Sequence, residues 1–400
     1  MGGCGSSDRV ADAEPSPTGA SGAIDPALHP IAKPVLAKYT VNCDEPPLGR
    51  GAFSVVRRAT PKTGGRAVAI KIIPPGKMGQ NELDGLREEI SILQSLEHAN
   101  IVRCLDFFEL PDARYVVMEM MSGGELFDRI VDRQYYNEGE ARSVLATLLR
   151  TLKYLHTRSP PVAHRDLKPE NLLLARADDD SAIKLADFGF ACRLPGGRRE
   201  LTKQCGTPQY VAPEIIAGTP YGVEVDLWSA GVIFYILLVG YPPFYEEDFD
   251  DLYNKIEAAA FDFDDELWER VSPEAKELIG RLLTADPFKR FTAEQALAHA
   301  WFGLSDSELR AKQLDGAHRK MKAWNARRRL KTTAKLVLLS RKRTKDMGSV
   351  VGSRMLAMGA SAQAGSVPAA ADAAAPSAPA ELEAPPGEHE SREAEPTAAE

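Results

Sequence analysis

His164-Arg165-Asp166-Leu167-Lys168-Pro169-Glu170-Asn171, followed downstream by Asp187-Phe188-Gly189, is the stretch on which the reading of this chain turns. Two carboxylates and a carboxamide so close in sequence suit a site where Asn171 and Asp187 bind magnesium while Asp166 orients a nucleophilic hydroxyl. A chance match over this length is remote. Ala212-Pro213-Glu214 closes the segment that begins at Asp187, and Asp226-Leu227-Trp228-Ser229-Ala230-Gly231 and Arg290 follow in order.

Working outward toward the N-terminus, Gly49-x-Gly51-x-x-Ser54-x-Val56 lies between two β-like stretches, where small residues let backbone N–H groups approach phosphates closely. Alone it reads as well as an ordinary turn, and Ser54 stands where a third glycine would be. A strand rather than a helix follows it, which disfavours a dinucleotide-binding unit. Val68-Ala69-Ile70-Lys71 ends an apolar strand on a lysine that, by itself, is equally an edge residue with its ammonium in water. Glu89, on a helix-like segment downstream, is placed to hold that ammonium and aim it at phosphate oxygens.

The rest of the chain divides by pattern. Residues 1–38 are rich in Ser, Gly, Ala and Pro and are expected to be a disordered tail. From Tyr39 to about Met118, short β-rich runs (Phe53 to Val56, Ala67 to Ile70, Tyr115 to Met118) surround one helix-like stretch, Leu86 to Leu96. Beyond Gly123 the helical period dominates, as in Glu138 to His156 and Val225 to Leu238. The expected fold class is α+β: a small β-rich lobe with one helix, then a larger helical lobe, together spanning 39–302. A basic segment (303–345) and an Ala/Pro/Glu-rich tail (346–400), expected to be disordered, follow.

Composition narrows the class further. The chain has 400 residues and is 44% hydrophobic and 26% charged, which fits a soluble globular protein and excludes fibrous or wholly disordered readings. The apolar run Ala230 to Tyr241 falls short of the roughly 20 residues needed to span a bilayer. Cys4, Cys43, Cys104, Cys192 and Cys205 show no C-x-x-C spacing, so neither a disulfide framework nor a zinc site is indicated and a reducing compartment is expected. The net charge of −8 hides an asymmetry: His318 to Lys345 holds 12 of the 49 Lys and Arg and no acid, leaving 37 basic against 57 acidic residues elsewhere.

Over Tyr39 to Phe302 these motifs, in this order and spacing, resemble the eukaryotic protein kinases. The resemblance implies a bilobal fold and ATP with Mg²⁺ as cofactors. It places the nucleotide under Leu48, Gly49, Arg50, Gly51, Ala52, Phe53, Ser54 and Val56, against Ala69, with Met118 as gatekeeper before a hinge at Glu119 to Met121. It further implies that Lys71 pairs with Glu89, that Asp166 is the catalytic base, that Lys168 meets the γ-phosphate, and that Asn171 and Asp187 hold Mg²⁺. Lys168 and Gly206-Thr207-Pro208-Gln209-Tyr210 resemble serine/threonine rather than tyrosine kinases, with Thr207 on the acceptor side. Gly123-Gly124-Glu125-Leu126-Phe127 and Glu170 resemble basophilic kinases, whose glutamates meet arginines ahead of the target hydroxyl; the other reading of Glu125 is a ribose contact only. Protein substrates with basic motifs are the expected partners, and nucleic acid is not. A scaffold without phosphoryl transfer is the rival, and intact Lys71, Glu89, Asp166, Asn171 and Asp187 argue against it.

Trp324-Asn325-Ala326-Arg327-Arg328-Arg329-Leu330-Lys331 and the stretch to Arg343 form, as a helix, a basic amphipathic surface with anchors Leu330 and Leu339 or Trp324 and Val337. Both spacings suit a helix wrapped by calmodulin, and Asn325 to Lys331 resembles the calmodulin-binding segment of type II calmodulin-dependent kinases. Membrane-surface, nuclear-import and simply solvated readings remain beside it. The resemblance implies that about Leu304 to Lys335 folds back and blocks substrate until Ca²⁺/calmodulin removes it. Two positions depart from the relatives: Ala317 stands where type II kinases carry their autophosphorylated threonine, and Lys203 where an activation-loop threonine falls. Thr202 next to it is a candidate phosphosite, since Arg165 is placed to pair with a phosphate. No Asp-x-Asp-x-Asp-Gly loop occurs, so calcium sensing belongs to a partner.

Met1-Gly2-Gly3-Cys4-Gly5-Ser6 fits a myristoylation acceptor at Gly2 with Cys4 placed for palmitoylation. The expected location is cytoplasmic, either with membrane association through these two residues or, if Gly2 is a chance match on a flexible tail, without it.

Overall fold

The computed structural model describes residues 31–328 apart from 51–53, 75–79, 134–135, 197–198, 312 and 315. Gly51, Ala52 and Phe53 of the glycine loop, the anchors Leu330, Val337 and Leu339, the acylation positions Gly2 and Cys4, and the tail from 346 lie outside the described residues.

The β-rich runs build an antiparallel sheet. After helix α1 (Lys33–Lys38) come β1 (Tyr39–Val41), β2 (Gly49–Arg50), β3 (Val55–Pro61), β4 (Val68–Ile73), helix α2 (Gln80–Ser95), β5 (Cys104–Glu109) and β6 (Arg114–Glu119). The strand order is β1-β3-β4-β6-β5, with β2 paired to β3. Alternation along β4 sorts its side chains: Val68, Ile70 and Ile72 pack with Tyr39, Tyr115 and Val117 on one face, while Ile73 joins Leu86 and Ile90 of α2. Lys71 shares the parity of Ile73, so the period of two that buries the strand also turns its lysine to the side of α2.

The boundary expected at Tyr39 is corrected here. Residues 33–38 form α1, whose Val35 is fully buried against the sheet, and Ala32 N–H donates to the Tyr115 hydroxyl at 3.2 Å. Lys38 reaches Asp106 at 3.0 Å. One buried side chain in a short helix leaves no periodicity to read, so this part of the expected tail belongs to the β lobe.

The helical lobe follows the 3.6-residue period. It contains β7 (Gly124–Glu125), α3 (Leu126–Asp132), α4 (Glu138–His156), β8 (Val162–Ala163), β9 (Leu172–Arg176), β10 (Asp179–Leu185), β11 (Cys192–Arg193), α5 (Pro213–Ile216), α6 (Val225–Val239), α7 (Phe249–Glu257), α8 (Pro273–Leu282), α9 (Ala293–Leu297) and α10 (Asp306–Ala311). A further helix, α11, covers 316–328. Asn137 starts α4 with a capping box, its side chain accepting from Glu140 N–H while the Glu140 carboxylate accepts from Asn137 N–H, both at 3.1 Å. Every residue of α6 is buried, as an all-round apolar helix must be, and Gly240 (φ 82°) ends it. The apolar run noted in the sequence is thus a core helix, and no described helix is long and apolar enough to cross a membrane. A side chain at Gly240 would run into the backbone of Ala317 and Met321, so α11 is seated directly on the end of α6.

Candidate active site

The catalytic loop runs between β8 and β9, and its shape is set from below by one buried carboxylate. Asp226, at the start of α6, accepts from His164 N–H at 2.9 Å and Arg165 N–H at 2.8 Å, and lies 2.9 Å from His156 Nε2. Burial alone would raise the Asp226 pKa, but the His156 hydrogen bond and charge and the His164 contacts hold it below the ordinary carboxylate range. Arg165 has φ 68°, a left-handed conformation that costs a non-glycine residue energy and persists only when its surroundings fix it. The Asp226 bonds supply that fixing. His164 is neutral by geometry: Nδ1 accepts from Asp166 N–H at 3.3 Å and Nε2–H donates to Ala186 O at 3.2 Å.

On this frame the reactive groups converge. Asp166 accepts from Lys168 Nζ at 2.5 Å and from Thr207 Oγ1 at 2.7 Å, and Lys168 also lies 3.2 Å from that threonine oxygen. The three residues named from the sequence as base, phosphate contact and acceptor-side group therefore form one cluster. Asn171 donates Nδ2 to Asp166 O at 2.8 Å, which leaves its Oδ1 as the ligating atom. Asp187 also sits in the left-handed region (φ 59°), and Phe188 beside it is fully buried, edge-on to His164 at 4.8 Å. Among the described residues no three or more His, Cys, Asp or Glu cluster into a self-sufficient metal site. The carboxamide and carboxylate oxygens of Asn171 and Asp187 suit a hard cation such as Mg²⁺, which would take its other oxygens from phosphate and water.

The nucleotide side is described in part. Gly49 and Arg50 pair with Val56 and Val55, and nothing stands within 4 Å of where a Gly49 side chain would project. Ala69 is buried and in register with Met118 on β6. Glu119 spends its carboxylate on Arg103 N–H and Lys184 Nζ, both at 2.8 Å, so its hinge contribution is its backbone. Burial pushes the Glu89 carboxyl above its ordinary pKa, Lys71 pulls it down and Asp187 pushes it up, which puts all three in one electrostatic neighbourhood. The described ion pairs include none between Lys71 and Glu89, so the expected pair is close but not closed.

Glu125, at the start of α3, and Glu170, after the catalytic loop, are brought together by Arg328 of α11. Its Nη2 donates to Glu125 Oε2 at 2.6 Å and its Nη1 lies 3.0 Å from Glu170 Oε2. Burial raises the Glu125 pKa and the Arg328 charge opposes that rise. The rest of α11 lies along α3: Trp324 is edge-on to Phe127 at 6.2 Å, buried Asn325 donates to Asp128 at 2.7 Å, and His318 Nε2 is 3.1 Å from Ile130 O. Lys320 pairs with Asp265 at the outer edge. Between α11 and the lobe is a cavity of about 730 Å³, bounded by Tyr210, Tyr241, Tyr245, Trp324 and Arg328. A basic segment following a basophilic site is the sequence signal for this fold-back; that Arg328 is the arginine seated on both glutamates is visible only in the folded chain.

Two further residues escaped a role in the sequence. Asp226 was part of a motif, but its function depends on main-chain groups remote from it in sequence. Arg290 makes a two-pronged pair with Glu214 at 2.7 and 2.9 Å, both buried, which fixes the end of the activation segment. Thr202 is exposed.

A β lobe and a helical lobe with Asp166, Lys168, Asn171 and Asp187 gathered on the catalytic-loop side and Lys71 on a strand of the sheet suit a phosphotransferase domain. Residues 44–302 match the protein kinase domain, and the chain belongs to the protein kinase family, in the group of calcium/calmodulin-dependent serine/threonine kinases. It is 44% identical over 289 residues to the calcium/calmodulin-dependent protein kinase type II subunit delta of Oryctolagus cuniculus, covering 71% of this chain and 53% of that protein. The chain thus aligns with about half the length of that relative. Kinases of this type use ATP and Mg²⁺.

Proposed function

We propose that this chain transfers the γ-phosphate of ATP to serine or threonine hydroxyls that follow basic residues, and that α11 holds it inactive until Ca²⁺/calmodulin lifts the segment away. The observation that carries the reading is Arg328 seated on Glu125 and Glu170. The same two carboxylates are what a substrate arginine would seek, so a docked α11 and a basic substrate compete for one site.

The chain's own residues account for the chemistry. The Asp166 carboxylate, freed of Thr207, accepts the proton of the incoming hydroxyl as the oxygen attacks phosphorus. Lys168 carries a positive charge at the same point and offsets charge on the transferred group. Asn171 and Asp187 hold magnesium, which when bound neutralises phosphate charge. Lys71 and Glu89 position the nucleotide from the β lobe.

Calmodulin enters because the sequence after the helix that occupies the arginine site is the basic stretch with the anchors Leu330, Val337 and Leu339, and because the aligned relative is named for calcium/calmodulin. Trp324, another anchor, is packed on Phe127, so calmodulin has to take it from α3.

The test is phosphate transfer to a peptide with arginine three residues before serine. The full chain is expected to be stimulated by Ca²⁺/calmodulin, and Arg328→Ala, which removes the contacts to both Glu125 and Glu170, to raise calcium-independent activity at least about tenfold. Equal activity of parent and variant without calcium would remove the autoinhibitory reading and leave the kinase. Attachment to a cytoplasmic membrane face through Gly2 and Cys4 is a separate proposal resting on the sequence alone; Gly2→Ala should release the protein from membrane fractions.

A further inference from the structure

Arg165 precedes the catalytic Asp166 and has its guanidinium already engaged. Nε donates to Phe190 O at 2.6 Å, and Nη1 donates to the Tyr221 hydroxyl at 3.1 Å. That hydroxyl donates onward to Lys203 O at 2.5 Å. Tyr221 also exchanges both backbone hydrogen bonds with Leu201, at 3.1 and 2.9 Å. Its ring is buried, so the hydroxyl has no freedom to turn to water. A chain of polar contacts thus leaves the catalytic loop at Arg165, passes through Tyr221, and reaches the activation segment on both sides of Thr202.

An arginine beside the catalytic aspartate is a natural receptor for a phosphate that orders an activation segment. Here two neutral oxygens, one from the start of the segment and one from Tyr221, meet it instead. The segment is braced at other points as well. Arg199 pairs with Glu224 at 2.5 Å and stacks on the Phe288 ring at 3.7 Å, and Arg193 reaches Glu88 of α2 at 2.8 Å. Gly206 adds a steric lock, since a side chain there would meet Arg165 O at 2.8 Å.

We propose that Tyr221 is a positioning residue whose hydroxyl relays Arg165 to the activation segment, so that turnover does not wait for phosphorylation of Thr202. The inference rests on the phosphotransfer reading above and is independent of calmodulin. Burial pushes the Tyr221 phenol up to about 12, against the pull of Arg165, so the hydroxyl keeps the proton that it gives to Lys203 O across the working range.

The experiment uses the full chain with Ca²⁺/calmodulin, saturating Mg-ATP and the arginine-containing peptide. Phosphatase-treated parent and Thr202→Ala should both keep kcat within about twofold of the untreated parent. Tyr221→Phe, which preserves the buried ring, should lose about tenfold in kcat with KM for ATP unchanged. Arg165→Lys keeps the charge but not the fork and should lose a similar factor, and the double variant should be no worse than either single one, because both cut the same relay. Tyr221→Phe with the parent's kcat, losses that multiply in the double variant, or activity abolished by phosphatase or by Thr202→Ala would each overturn the proposal. A parent inactive before any treatment would instead count against the phosphotransfer reading, which keeps the two failures distinct.

Discussion

The catalytic loop and α11 both bind buried or half-buried charges, yet they are built to different standards. Beneath the loop, Asp226 is fully buried and takes three hydrogen-bonding partners, and Arg290 and Glu214 meet fork to fork out of water. Along α11, Lys320 meets Asp265 at the lobe's edge, while Asn325 and Arg328 are nearly buried but meet Asp128, Glu125 and Glu170, of which the two glutamates keep part of their surface exposed. Breaking one partner of a buried pair strands a charge in low dielectric, whereas an edge pair returns both groups to water. The first arrangement resists opening; the second is suited to being opened by a competitor.

The comparison is broken most severely if Arg290→Ala is tolerated. Its guanidinium binds Glu214 twice and also reaches Thr284 O at 2.9 Å, Glu224 O at 3.0 Å and Ala285 O at 3.2 Å, so truncation strands a carboxylate and three carbonyls. The expected loss is about 3–5 kcal/mol, or about 10 °C in a domain of this size, read by thermal melting. A smaller effect comes from His164, whose pKa burial depresses below 6.5 against the pull of Asp226. Between the unfolded and folded values the unfolded chain binds a proton that the folded chain refuses. Stability is therefore full above about pH 6.5 and falls as pH drops, by up to about 1.4 kcal/mol per unit. Melting temperatures that stay level from pH 7.5 to 5.5 would remove this part of the frame. A protonated His164 would turn an Nδ1–H toward Asp166 N–H, so activity should fall with stability.

Legibility in the sequence follows the same division. Asp166, Lys168, Asn171 and Asp187 could be read because phosphoryl transfer fixes residue type and spacing over a short stretch, and α4 and α6 because a long apolar period leaves little choice. What could not be read were contacts between residues far apart whose types are common. Nothing in Tyr221 alone announces a bond to Arg165, and Arg328 faces Glu125 only after the lobe has folded. Helix α1 escaped because a single buried valine carries no period. Lys71 and Glu89 show the converse: the residues are legible, but their separation depends on where α2 rests against the sheet.

The finest test falls on the outer end of α11, where Lys320 pairs with Asp265 and lies 4.9 Å over the Tyr241 ring. Lys320 is about half exposed, so the pair belongs with surface ion pairs of 0.2–1 kcal/mol rather than with Arg290. Lys320→Ala should raise calcium-independent activity by only about two- to threefold, less than Arg328→Ala, and the parent's own basal activity should creep upward with salt as the pair is screened. A Lys320 effect as large as that of Arg328 would mean that α11 is held as one cooperative body rather than by its grip on the arginine site. In that case calmodulin would gain as much by prising up the far end as by displacing Arg328, and competition with a basic substrate would no longer explain how the helix controls the site.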